Sequence, residues 1–125
     1  MRKLVAVAFL VFGTLVSGNA QDKMAKIVSL EQVPGEFITK QLTLNEGTYI
    51  FEITNNAVGH NVGFVLAKKG SDLSNPENHI QTAYVTEQVA DGQKQQSSPT
   101  TLAKGEYVYF CPLNPTATDN TLTVK

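Results

Sequence analysis

This 125-residue chain has no tryptophan, two histidines and one cysteine. The single cysteine, Cys111, excludes any disulfide within the chain and any zinc-type cysteine cluster. Positive charge is scarce as well, with 10 Lys+Arg against 11 Asp+Glu. There is no basic field to neutralise phosphates, which excludes a nucleic-acid binder of the usual kind. Long apolar runs are missing: the most apolar stretch, Leu4 to Val16, has 13 residues. A membrane-spanning helix needs about 20. Glycine-rich phosphate loops and paired-carboxylate sites are also absent, so little in the chain points to catalysis.

What is present begins at the N-terminus. Arg2 and Lys3 precede the apolar run, and Gly18-Asn19-Ala20 follows it as a small-residue cleavage site. This order predicts a secretory signal peptide over 1–20 and a single domain over 21–125. The expected location is a bacterial periplasm or the outside of the cell. Past residue 20, with Arg2 and Lys3 gone, 8 basic residues face 11 acidic ones. An oxidising compartment usually pairs its cysteines. A lone thiol there is buried, bound to a metal or joined to another chain.

A period of two runs through the rest of the sequence. Ile38, Leu42 and Leu44 share one parity, as do Tyr49, Phe51 and Ile53. His60, Val62, Phe64 and Leu66 form a third set, Tyr107, Tyr109 and Cys111 a fourth, and Leu122 and Val124 close the chain. Short alternating strands punctuated by Gly, Asn and Pro predict an all-β sandwich or small barrel of about seven or eight strands. Residues 68–78 and 91–99 are polar and turn-rich and read as loops, with an edge strand open to the Gln-Ser part of the second. Residues 79–85 fit either a short strand or a helical turn followed by a strand.

Two motifs carry the chemistry. Asn55-Asn56-Ala57-Val58-Gly59-His60-Asn61-Val62 joins one strand to the next, and Gly105-Glu106-Tyr107-Val108-Tyr109-Phe110-Cys111-Pro112-Leu113-Asn114-Pro115 runs from a strand into a Pro-rich loop. In these residues the chain resembles the cupredoxins, the blue-copper proteins, and most of all their plastocyanin branch. The resemblance implies a Greek-key β-sandwich in which a thiolate, two imidazoles and a weak axial thioether hold copper. It matches His60 to the first imidazole, Cys111 to the thiolate, and Asn61 to the residue whose backbone holds the loop beside the sulfur. At the second imidazole position stands Asn114, and no His or Met follows Cys111. The only Met beyond residue 20 is Met24. Two of the four expected ligands are therefore missing.

His79 is the remaining imidazole, and the loop before it is long enough to reach back toward His60. It reads also as a solvent-exposed loop histidine. His60, on an apolar parity, reads as a ligand or as a hydrogen-bonded core histidine. Asn114 offers a weak carbonyl oxygen. A His–Cys pair with one such donor suits Cu(I). The expectation is thus an exported cupredoxin-like protein, not an enzyme, that binds copper through His60 and Cys111, with His79 or Asn114 as further donors. It would carry copper or exchange electrons with a redox or copper-donor protein partner, with no nucleic acid and no membrane span beyond the signal peptide. The alternative is a cupredoxin scaffold without metal that serves as a binding or structural module.

Overall fold

Residues 25–114 and 116–125 are described by a computed structural model. The expected signal peptide over 1–20, together with Met24 and Pro115, lies outside the described residues. Among the described residues nine strands form two facing sheets. The first sheet holds β1 (Lys26–Val33), β2 (Glu36–Phe37), β4 (Gly47–Asn55), β6 (Lys94–Gln96) and β7 (Thr100–Leu102). The second runs β3 (Gln41–Leu44), β9 (Asn120–Val124), β8 (Gly105–Phe110), β5 (Val65–Lys68). Among the described residues no helix is long and apolar enough to cross a membrane. The expectation of an all-β sandwich holds, with nine strands among the described residues against the seven or eight expected and β2 only two residues long.

The alternating sequence sets become the core. Phe51 and Ile53 of β4 face Leu66, Tyr109 and Leu122 of the other sheet, all essentially without solvent exposure. Phe64 lies between Phe51 and Tyr109 at ring-centroid distances of 5.1 and 5.8 Å, and Phe37 meets Tyr109 edge-on at 5.1 Å. Such aromatic pairs add about 1 kcal/mol each beyond their buried area. Tyr109 reaches through this layer to donate its hydroxyl to the Thr39 carbonyl at 2.6 Å.

Three details differ from the sequence reading. Strand β1 carries no periodic signal, because its inward positions include Gln32 beside Leu30. It nonetheless pairs in parallel with β4 over seven residues, Lys26 opposite Tyr49 through Gln32 opposite Asn55. Ile38 is 58% exposed, since the chain leaves β2 after the buried Phe37 and the alternation resumes only in β3. His60 is exposed as well and is not on the apolar face, because residues 56–61 form a loop before Val62 enters the core. The loop over 68–78 is as expected, and 91–99 contains the edge strand β6. Within 79–85 a single 3-10 turn, Gln81–Ala83, lies between bridges from His79 to Ala67 and from Val85 to Ser97.

Candidate functional site

Cys111 follows directly on β8, with the inward parity of Tyr107 and Tyr109, and is fully buried. The loop after it is two successive turns. The Asn114 N–H donates to the Cys111 carbonyl (3.2 Å), and the Ala117 N–H donates to the Asn114 carbonyl (2.8 Å). Asn120 underpins the loop by donating its side-chain amide to the Tyr109 carbonyl at 3.0 Å. The Cys111 sulfur accepts the Gly63 N–H at 3.3 Å.

Around that sulfur the polar atoms close a ring. The Gln32 side chain, with no solvent exposure, donates Nε2 to the Gly63 carbonyl at 2.8 Å and accepts Asn114 Nδ2 at 3.2 Å. Asn114 Nδ2 also donates to the Val33 carbonyl (3.1 Å), while its Oδ1 accepts the Gly35 N–H (3.0 Å). Gly35 has φ +83, and a Cβ there would come within 2.9 Å of Thr116 Oγ1, which donates to the Gly35 carbonyl. Glycine therefore lets the β1–β2 turn close on the cysteine loop. The Gln32 and Asn114 amides each have both a donor and an acceptor bond in this buried cluster, as buried polar groups need if they are not to destabilise the fold.

The four residues singled out in the sequence do not converge. Cys111 and Asn114 share one loop. His60 lies on the outside, its Nδ1–H donating to the Asn61 carbonyl at 2.8 Å, since a carbonyl only accepts. Among the described residues its Nε2 has no hydrogen-bond partner. The loop is fixed by the buried Asn55, which donates to the His60 carbonyl (2.8 Å) and the Val89 carbonyl (3.0 Å) and accepts the Val58 N–H (3.1 Å). Asn61 holds no sulfur: its side chain bonds Gln88 (3.1 Å), and the backbone N–H at the sulfur belongs to Gly63. The residue before that N–H is the fully buried Val62, paired with Val89. His60 is thus displaced by two residues, about 7 Å of extended chain, from the position its motif implies.

His79 is occupied elsewhere. Its Nε2–H donates to the Leu73 carbonyl (2.8 Å), so Nδ1 is the acceptor and takes the Tyr84 hydroxyl (2.7 Å). Its ring packs edge-on to Phe110 at 5.9 Å. Phe110 has the opposite parity to Tyr109 and Cys111, so His79 covers the outer face of β5 and β8 while the thiol points to the inner one. Among the described residues no three His, Cys, Asp or Glu side chains could hold a metal ion together. The donor set beside the sulfur, one thiol with amides already paired, does not fit a centre built on two imidazoles and a thioether.

Sequence reading missed Gln32 and Gly63, the two residues that close the ring. A polar residue inside a strand reads as surface, and a glycine after a histidine motif reads as a turn.

Comparison with known proteins bears on the frame. No curated protein matches the chain. Among solved structures it is similar to auracyanin B (21% identity, TM-score 0.64, covering 81% of this chain and 89% of that one). It is also similar to auracyanin A of Chloroflexus aurantiacus, described as a "blue" copper protein (18%, TM-score 0.61, covering 82% and 100%). Amicyanin of Paracoccus versutus follows with 21% identity and a TM-score of 0.53, covering 85% of this chain and 88% of that one. At these identities the likeness establishes the shared cupredoxin-like fold. The model of the copper binding proteins, plastocyanin/azurin family, matches residues 26–124, so the chain belongs to that family.

Proposed function

We propose that this chain is a cupredoxin frame whose metal end has become hydrogen-bonded packing, and that it works as a metal-free binding module. The observation that carries this reading is the ring of Gln32, Asn114, Gly63 and Cys111. It consumes the amide at the second imidazole position and leaves the thiol with an N–H partner and no imidazole. Export through residues 1–20 belongs to the reading and assigns the domain to a periplasm or the cell exterior. A fully buried thiol suits such a place, because oxidation needs an accessible thiolate.

The competing reading has copper held by His60 and Cys111, with His79 or Asn114 assisting, for carriage or for electron exchange with a protein partner. One observation favours it, the Nε2 of His60 without a partner among the described residues. It requires the 60–63 segment to move so that His60 comes beside the sulfur.

A thiol-disulfide reagent separates the two. In the native, metal-free protein Cys111 is expected to react only as fast as the fold opens, and Cu(I) is expected to leave that rate unchanged. Rapid labelling of the native protein that copper blocks would favour the ligand reading.

A further inference from the structure

We propose that the pocket beside the Cys111 loop binds a neutral, mostly apolar small molecule carrying one carbonyl-type or ether-type oxygen. This rests on the binding-module reading and names its ligand class. The pocket has a volume of about 370 Å³, within the range of small-ligand sites, roughly 300–1,000 Å³. Its walls include Phe64, Val65, Val85, Pro112 and Leu113, and no Asp, Glu, Lys or Arg lines it. An ionic ligand would find no countercharge there and would lose its hydration without return.

Gly63 lines the pocket without a side chain. A Cβ at Gly63 would meet nothing within 4 Å, and its φ is not in the left-handed region. The backbone there accommodates alanine or valine, yet the residue carries no side chain, and the space a side chain would fill is open. Its N–H and carbonyl are both committed, to Cys111 and to Gln32, so Gly63 presents no orphaned polar group to a ligand.

The polar inventory of the walls selects the ligand's single oxygen. His79 has both ring nitrogens engaged, and the Tyr84 hydroxyl donates to one of them. Gln88, exposed at the pocket's edge, accepts from Asn61 through Oε1, so Nε2 is the donor its amide has left to offer. A side-chain donor at the edge of apolar walls can orient a molecule through one acceptor atom. Leu113, 38% exposed at the rim, gains burial when the pocket fills.

The test uses prodan, a neutral naphthalene ketone whose emission shifts to the blue in apolar surroundings. The wild-type chain is expected to bind one equivalent saturably with a blue shift. Gly63→Val fills that open space and is expected to abolish the shift. Gln88→Ala loses one hydrogen bond and weakens binding about fivefold. Circular dichroism and urea midpoints identify a variant that misfolds, and Leu113→Ala then serves as a second rim variant with a weaker expected loss. Saturable binding that none of these substitutions changes would overturn the assignment, as would no saturable binding by the wild type. A concentration-dependent dimer that Gly63→Val dissolves would also overturn it, since a second copy would then be the occupant. Copper titrated into the same samples keeps the two proposals apart. Prodan binding together with Cys111-dependent copper binding would sink the metal-free reading alone, and loss of prodan binding without copper uptake would sink the pocket alone.

Discussion

Tyr109 joins the core to the edge of the sandwich through one atom. Its ring packs with Phe37 and Phe64 while its hydroxyl reaches the Thr39 carbonyl. Burial disfavours the phenolate and pushes the phenol up from 10.0 to about 12. Between these values the unfolded chain has released a proton that the folded chain keeps. The contribution of Tyr109 is therefore intact below pH ~10 and is lost as pH rises toward about 12, by up to about 3 kcal/mol. Tyr109→Phe is expected to cost about 1 kcal/mol at neutral pH through the lost hydrogen bond. It should also flatten the fall in urea midpoint between pH ~9 and ~11.5. Parallel decline in the two proteins would show that Tyr109 does not set the alkaline limit.

Elements meet at Asn114. Its side chain ties the turn after β1 to the loop after β8, and through Gln32 it reaches the start of the segment that becomes β5. Asn114→Ala removes three hydrogen bonds and leaves the buried Gln32 oxygen without its partner. At about 1 kcal/mol per bond plus the unsatisfied acceptor, the loss should be about 3–4 kcal/mol in urea unfolding. A loss under about 1 kcal/mol would mean that the ring is decorative. The inward sets of β4, β8 and β9 were legible in the sequence because apolar residues there alternate without interruption, and Cys111 was legible as the inward end of one of them. Strand β1 was not, since a buried glutamine reads as a surface residue until its partners are known. The His60 motif was legible as a resemblance, but its register was not. Asn55 folds residues 56–60 into a loop, and a loop of that length moves the histidine outward without altering the motif.

The whole molecule separates frame from site. Residues 26–124 keep the family's sandwich at 18–21% identity to the auracyanins and amicyanin, because paired sheets over an aromatic core tolerate wide substitution. A metal centre tolerates little, since each ligand must have the right donor in the right place. Here the residue preceding the N–H at the sulfur is the buried Val62, and the residue three after Cys111 is Asn114. On the metal-free reading proposed above, the frame outlives its metal, with buried amides bracing the loops that ligands would otherwise join.

The most direct test is a copper titration, with Cu(I) and Cu(II) in turn, of the wild-type chain beside Cys111→Ser and the double variant Val62→His/Asn114→His. Wild type and Cys111→Ser are expected to take up copper alike and without blue colour. The double variant should gain a blue absorption that disappears when Cys111→Ser is added. Tight or coloured binding by the wild type that Cys111→Ser abolishes would contradict the account and return the site to His60 and Cys111.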